Sequence, residues 1–372
     1  MPVLKRILVQ DFRNIALAEL AFSPKINCVS GNNGAGKTNL LDAIWYLSMT
    51  KSAFSVSDRY NFRDGRGTFS ISGTYEMENG TVSVFSISVA DGGEKKLRRD
   101  DSPVKKVSEH IGTIPIVMVS PSDTALVSES GDERRRFTNT VLSQMSPAYL
   151  ADAQQYNRLL RQRNRVLKDP CPDAGLLDVF DARMSPCAAR IYAARKEFVR
   201  RLSPAVARFY AMISGGGESV SAEYVSDFDA GAPEEVFASR REKDLALRFT
   251  TAGVQRDDLV FLIDGHPIRR FGSQGQQKSF LVALKFAQYE LMREDGGFPP
   301  MLLLDDVFDK LDMGRISNLL SMVAGRDFGQ IFITDSNKVR MAGIVEKVSS
   351  GSSYFEASAG AFTKIEDNVQ GI

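Results

Sequence analysis

The chain has 372 residues, 43% of them hydrophobic and 25% charged, with a formal net charge of +1. That balance suits a globular protein with room for two cored domains, and it gives no global pull toward nucleic acid, so any such affinity must come from local patches. No run of about 18 apolar residues occurs, so no membrane span is expected. Cys28, Cys171 and Cys187 are odd in number and unpatterned, which suits a reducing cytoplasm and argues against a zinc ribbon. With only His110 and His266 present, histidine-based metal catalysis is not expected, and residues 1–6 lead into a strand rather than a signal peptide.

Residues 4–9, 69–75, 81–89 and 116–119 read as strands, with turns at Glu78-Asn79-Gly80 and Asp91-Gly92-Gly93. Within this part, residues 26–30 alternate and read as a short buried strand, and Leu40, Leu41, Ala43, Ile44 and Leu47 recur at helical spacing. Between them stands Gly31-Asn32-Asn33-Gly34-Ala35-Gly36-Lys37-Thr38, which fits G-x-x-x-x-G-K-[ST] in the strand–loop–helix setting that a phosphate-binding loop requires. Glycines let backbone N–H groups approach phosphate oxygens at the positive end of the following helix. Lys37 would meet the β- and γ-phosphates and the Thr38 hydroxyl a Mg²⁺ ion. The expected nucleotide contacts are therefore residues 31–39, Asn39 included.

From about residue 125 to 215 the pattern turns helical, with long stretches at 132–145, 147–168 and 176–201. Pro170, Pro172, Pro186 and Pro204 read as interruptions, so no sustained heptad arm is expected. Arg158, Arg161, Arg163, Arg165 and Lys168 cluster on one element, and Arg183, Arg190, Arg195, Lys196, Arg200 and Arg201 on the next. Any one of these stretches alone reads as a solvated face. Two successive basic helices beside a nucleotide loop point instead to duplex backbone, with Arg158, Arg161, Arg165, Lys168, Arg195 and Arg200 as candidate DNA contacts. No base-reading motif is visible, so structure or backbone recognition is expected. Gly215-Gly216-Gly217 breaks the helical part, and strand signals return near 245–265.

Ser273-Gln274-Gly275-Gln276-Gln277 opens a long helix carrying Phe280, Leu281, Ala283, Leu284, Ala287 and Leu291. It resembles the signature of ABC-type ATPases, with Gln where the commonest form has Gly; it also reads as a glutamine-rich helix start. Met301-Leu302-Leu303-Leu304 then runs into Asp305-Asp306. Alone this is equally an ordinary core strand ending in an acidic turn. Beside a phosphate loop it delivers Asp305 to Mg²⁺ and Asp306 as general base toward the attacking water. Asp309-Lys310-Leu311-Asp312 follows as a D-loop would, and residues 330–334 give another core strand. The fold expected is mixed α/β: an ABC-type P-loop ATPase head at 1–124 and 246–372, with an inserted helical arm at 125–245.

The order and spacing of several stretches resemble the RecF family of bacterial recombinational repair over nearly the whole chain. They include Asp11-Phe12-Arg13-Asn14, the loop with Asn39-Leu40-Leu41-Asp42-Ala43-Ile44, and Ser120-Pro121-Ser122-Asp123. Arg134-Arg135-Arg136-Phe137, Gln162-Arg163-Asn164, Gly253-Val254-Gln255-Arg256-Asp257-Asp258-Leu259, Gly272–Gln277 and Leu303–Phe308 carry the rest. Two departures stand out: Val254-Gln255 where many members have His, and Asp335-Ser336-Asn337 where ABC transporters place a γ-phosphate-sensing His.

The resemblance implies a slow, DNA-stimulated ATPase in the cytoplasm, at the nucleoid, with ATP and Mg²⁺ as ligands and no membrane partner. It implies an ATP-dependent homodimer in which Ser273, Gln274, Gly275 and Gln276 of one copy cover the γ-phosphate held by the other. It further implies duplex DNA and single-strand/double-strand junctions as partners, with RecR and RecO helping to load RecA. Arg13 could touch phosphate or ribose, or be a surface arginine after a strand. The alternatives are a single-chain ATP-switched interaction module or an SMC-like head that does not act with RecA. A transporter engine fits poorly with Asp306, the insertion of about 235 residues between loop and signature, and its basic charge. An ATP-powered nuclease would need an acidic cluster for which little chain remains.

Overall fold

Ile26–Ser30, Ile116–Val119, Met301–Asp305 and Ile331–Asp335 are buried at every residue. Runs buried on both faces belong inside a parallel sheet, and these four are adjacent in one. The six-stranded order is Ala361–Ile365, Ser352–Ser358, Ile26–Ser30, Ile331–Asp335, Met301–Asp305, Ile116–Val119. All neighbours are parallel except the terminal hairpin Ser352–Ser358/Ala361–Ile365. The register sets Asp305 opposite Thr334 and Asp335 opposite Ser30, so the carboxyl ends of three strands coincide. In open α/β sheets that edge is where ligands bind.

The computed structural model describes residues 1–129, 131–308, 314–315, 318, 328–337 and 351–365. They form two units, Met1–Asp123 with Met292–Ile372, and Thr124–Leu291. The expected D-loop at 309–312 lies outside the described residues.

The first unit also holds a six-stranded antiparallel sheet ordered Ile15–Ala21, Val3–Phe12, Thr68–Glu76, Val82–Ala90, Lys95–Arg99, Ser102–Pro103. Thr68–Glu76 and Val82–Ala90 alternate buried with more exposed positions, the period-2 pattern of a one-sided sheet. The helix Lys37–Met49 packs against strands of both sheets, which explains why it is buried on nearly every side. Its Tyr46 meets Phe12 and Phe69 edge-on, at centroid separations of 6.1 and 5.5 Å, within one continuous apolar core.

The second unit contains helices Gly131–Met145, Pro147–Leu167, Ala174–Ser214 and Pro233–Leu247, and a three-stranded antiparallel sheet. One sequence expectation changes here. Pro186 and Pro204 do not end the helix; both lie inside its 41 residues. Leu177, Met184, Ala188, Ile191, Phe198, Leu202, Val206, Tyr210 and Ile213 make an unbroken buried stripe across them. Each proline, and the residue four before it whose carbonyl loses its donor (Ala182, Arg200), faces solvent, so water can replace the bond and packing outweighs the local cost. Asp258–Ile263 pairs antiparallel with Val220–Val225, and that ladder groups 246–291 with the helices.

Buried arginines organise this unit. Arg163 is fully buried and donates to Asp181 (2.6 Å), Asp244 (2.7 Å) and Thr250 (2.8 Å). Arg195, 4% exposed, donates to Tyr149 (3.0 Å), Asn139 (3.0 Å), the Val254 carbonyl (2.6 Å) and Asp257 (2.6 Å). Arg134 grips Asp258 with two bonds of 2.8 and 2.9 Å. Much of the positive charge counted along these helices is thus internal cross-linking.

Arg163→Met should cost about 3–5 kcal/mol, because it strands Asp244 as a buried carboxylate without its cation, while Asp181 keeps Arg241. Urea denaturation followed by circular dichroism checks this; an unchanged midpoint would mean the pair is not a cross-link. Thiol chemistry gives a second check. Burial pushes the Cys28 thiol up to about 12, whereas Cys171 is exposed. A maleimide should label Cys171 on the folded chain and reach Cys28 only after denaturation.

Candidate nucleotide site

The loop 31–36 leaves the buried strand at Ser30 and enters the helix at Lys37. Gly31 has φ 153°, and a Cβ there would lie 2.4 Å from the Ala357 carbonyl oxygen of the C-terminal hairpin. Gly36, at φ 108°, is the helix N-cap and supplies no side-chain cap. The helix therefore presents its N-terminal amides and positive dipole end to an anion without a competing side chain. The hairpin turn holds the loop from behind, with Gly360 N–H donating to the Ala35 carbonyl at 2.9 Å. Asn14 ties the opposite side: its Nδ2 donates to the Gly34 carbonyl (3.2 Å) and its Oδ1 accepts from Asn39 Nδ2 (2.7 Å). Asn32, Asn33 and Gly34 form the exposed rim.

Lys37 is buried and turns back over the loop, donating to the Gly31 carbonyl at 2.8 Å and the Asn32 carbonyl at 3.1 Å. The Thr38 hydroxyl reaches both oxygens of Asp305, at 2.9 and 3.0 Å. Thr334 Oγ1 donates to Asp305 Oδ1 at 2.6 Å, fixing the carboxylate from the neighbouring strand. Asp305 is 2% exposed, and burial raises its pKa above the ordinary carboxylate value, opposed by the bonds from Thr334 and Thr38. Asp306 has φ 45°, left-handed for a non-glycine residue, and its N–H reaches the Thr334 carbonyl and Oγ1, both at 3.2 Å. Strain of that kind persists only where the surroundings enforce it, and here the adjoining strand does so.

These residues fit a nucleoside triphosphate with a divalent cation. A Cβ has no room at Gly31 and would crowd Asn14 from Gly36 at 3.0 Å, the lysine stands behind the cradle, and the Thr38 hydroxyl and Asp305 carboxylate are oxygen donors of the kind Mg²⁺ takes alongside phosphate. Among the described residues no cluster of three His, Cys, Asp or Glu offers an all-protein metal cage.

Arg13 is not a loose surface arginine. At φ 52°, it donates through Nε to Asn61 (3.3 Å), through one terminal nitrogen to Asn39 (3.1 Å) and through the other to Ser52 (2.9 Å) and Ser55 (3.0 Å). It also pairs with the buried Asp42 at 2.7 Å. The first unit thus brings together Arg13, residues 31–39, Asp305 and Asp306. Sequence reading missed Thr334, Asn14 and the Ala357–Gly360 turn. A threonine ending the apolar strand 331–333 was a signal for the first; nothing local announces the turn.

Ser273, Gln274, Gly275 and Gln276 belong to the second unit. There Gln276 N–H donates to Ser273 Oγ (3.2 Å) while Ser273 N–H donates to Gln276 Oε1 (2.7 Å), a reciprocal capping box at the start of Gln274–Gly296.

The DNA candidates separate into two groups. Arg195 is withdrawn from the list: it is buried and paired with Asp257, so no phosphate can reach it. Arg200 is exposed but pairs with Glu197 at 2.7 Å. Arg158, Arg161, Arg165 and Lys168 are exposed, and none has a carboxylate partner among the described residues. At about 100° per residue they fall within an arc of about 80°, one stripe along the helix Pro147–Leu167 and its cap. A groove lined by Gln154, Asn157, Leu160 and Arg161 adjoins the stripe.

The family model of the RecF/RecN/SMC N terminal domain matches residues 3–350. The DNA replication and repair protein RecF of Porphyromonas gingivalis (strain ATCC 33277) is 42% identical over 359 residues, covering 96% of this chain and 99% of that protein. RecF of Bacteroides thetaiotaomicron is 39% identical over 364 residues, 98% of this chain and 99% of its own length. A solved structure of the recombination mediator protein RecF with ATP, in the RecFOR pathway, superposes with a TM-score of 0.87 at 28% identity, over 98% of both chains. The Smc head domain of Pyrococcus furiosus shares the fold at a TM-score of 0.58 and 16% identity. No described helix is long and apolar enough to cross a membrane. The chain belongs to the RecF family of DNA replication and repair proteins, ATP-binding ATPases of the RecF/RecN/SMC type.

Proposed function

We propose that this chain is an ATP-switched DNA clamp of recombinational repair, a slow ATPase stimulated by DNA. The observation that carries the reading is the convergence of Lys37, Thr38 and Asp305 at one sheet edge, from segments some 267 residues apart. Backbone amides of residues 31–36 and the Lys37 ammonium hold the triphosphate; Thr38 and Asp305 would hold Mg²⁺, which would supply neutralisation of the charge that develops on the phosphates. Asp306 takes the proton of the attacking water as its oxygen bonds to the γ-phosphorus and the bond to the β–γ bridging oxygen breaks, giving ADP and phosphate. Ser273 to Gln276 lie in the other unit and close over the γ-phosphate of a second copy, so two chains complete two sites.

Arg158, Arg161, Arg165 and Lys168 then contact the DNA backbone at single-strand/double-strand junctions, and release follows hydrolysis. The partners are those of the pathway named for the related structures: RecR and RecO, with RecA loaded as the outcome. The compartment is the cytoplasm, at the nucleoid. The functional division is an ATPase head at 1–124 and 246–372 interrupted by an arm at 125–245, even though packing places 246–291 with the arm.

Lys37→Met should abolish nucleotide binding; unchanged ATP affinity by calorimetry would refute the site. Asp306→Asn should keep ATP binding, slow hydrolysis by about 10²–10⁴-fold and trap a dimer, read as solution mass by light scattering with ATP or ADP, with and without duplex DNA. A single-chain mass in every condition would leave a single-chain nucleotide switch. Reversing Arg161 and Arg165 to Glu should weaken DNA binding and lower the slope of log affinity against log salt by about 2, since each phosphate contact contributes about 0.9. An unchanged slope would place the DNA elsewhere.

A further inference from the structure

Glu218, half-buried between the long helix and the three-stranded sheet, carries a connection that neither motif nor resemblance assigns. Its Oε1 accepts from Gln276 Nε2 at 2.8 Å, and its Oε2 accepts from the Tyr210 hydroxyl at 3.1 Å. Tyr210 is fully buried in the last turns of Ala174–Ser214. Gln276 is the residue whose side chain and N–H close the capping box with Ser273. One carboxylate therefore joins the end of a basic helix to the start of the signature helix, within a single compact unit.

The geometry points to Glu218 as a positioning residue for the signature. Gln276 has two duties, and each uses a different atom: Oε1 receives the Ser273 N–H, and Nε2 must be satisfied elsewhere. Glu218 supplies that acceptor and so fixes the amide in the one orientation that completes the cap. With the amide fixed, the Ser273 hydroxyl is held on the Gln276 N–H and the first turn keeps its helical form. The other oxygen of Glu218 refers this first turn to Tyr210. Displacement of the basic helix is thereby transmitted to the signature through two hydrogen bonds rather than through a loop. This rests on the reading of Ser273–Gln276 as a signature that closes on ATP held by a second copy, and it names what sets that signature's geometry.

The bonding pattern admits an exchange that a merely structural role would not predict. In Gln276→Glu, two carboxylates meet where a donor–acceptor pair stood, and the link is lost. In the double variant Glu218→Gln with Gln276→Glu every donor again has an acceptor. The new glutamate accepts from Ser273 N–H and from the new glutamine's Nε2, while that glutamine's Oε1 accepts from Tyr210. Ser-x-x-Glu is itself a favoured capping box.

The test is ATP-dependent association of the full chain by sedimentation velocity, with ADP affinity and thermal midpoint measured alongside. Glu218→Ala and Gln276→Glu should each weaken association about tenfold, and the double variant should return to within about threefold of wild type. Glu218→Ala should keep wild-type ADP affinity, because the loop that binds ADP lies in the other unit. Wild-type association in either single variant, or a double variant no better than Gln276→Glu, overturns the inference. If Gln276→Glu does not fold, Tyr210→Phe removes a single oxygen from the same chain of bonds; unaltered association there overturns it equally. A wild-type chain that never associates with ATP overturns the composite-site reading, and this inference with it.

Discussion

The hydrogen bonds from Thr38 to Asp305 are the constraint around which the rest of the first unit is arranged. They can form only if the strand that launches the phosphate loop and the strand that ends in the carboxylates share one parallel sheet with matched ends. Central strands of a parallel sheet are buried on both faces and largely apolar; the four segments are buried at every residue, with most of their polar residues at the carboxyl ends. Such a sheet also requires long crossovers, and the longest of these is used to carry an entire second unit. Ile331–Asp335 sits between the two functional strands and contributes Thr334, so the carboxylate is oriented from its own sheet and not from a mobile loop. The cost of burying Asp305, which raises its pKa, is opposed by the hydrogen bonds from Thr334 and Thr38.

The second unit is arranged around guanidinium groups in place of a phosphate. Burying an arginine is unfavourable unless nearly all its donors find acceptors. Arg195 comes near that condition through Tyr149, Asn139, Val254 and Asp257, whereas Arg163 places Nε and Nη1 on Asp181, Asp244 and Thr250 and leaves its buried Nη2 without a hydrogen-bond partner among the described residues. Asp257 and Asp258 are adjacent carboxylates in the stretch Gly253–Leu259. In the structure each is consumed by an arginine, Asp257 by Arg195 and Asp258 by Arg134. Among the described residues the stripe from Arg158 to Lys168 keeps exposed cations without a carboxylate partner, and the division between internal and external charge decides which face of that helix can meet a polyanion.

The parts legible in the sequence are those fixed by local physics. Glycines between a buried strand and a helix leave few alternatives, and an apolar run ending in two carboxylates identifies its own end. What could not be read were pairings set by distant partners. Nothing in residues 352–365 announces that their hairpin would back the phosphate loop; that follows from the 2.4 Å approach of Ala357 to the missing Cβ of Gly31. Arg195 looks like its exposed neighbours because burial is decided by Asp257, 62 residues away. The prolines misled for a related reason. Their local cost is real, but a buried stripe running the length of Ala174–Ser214 supplies more stabilisation than two lost backbone bonds remove.

The distribution of the polar groups also separates the tasks of the two units. In the first, the helix N-terminus at Gly36 has no side-chain cap, so its amides and dipole are committed to an anion. In the second, the helix start at Ser273 is capped by its own residues, and its shape is set by Gln276 and, through it, by Glu218. The first arrangement binds by leaving charge uncompensated; the second presents a fixed surface whose geometry answers to the long helix behind it. In the clamp proposed above, a site assembled from one of each would be sensitive to nucleotide through the first and to the position of the basic helices through the second. That is the physical requirement for a switch that must read ATP and DNA together.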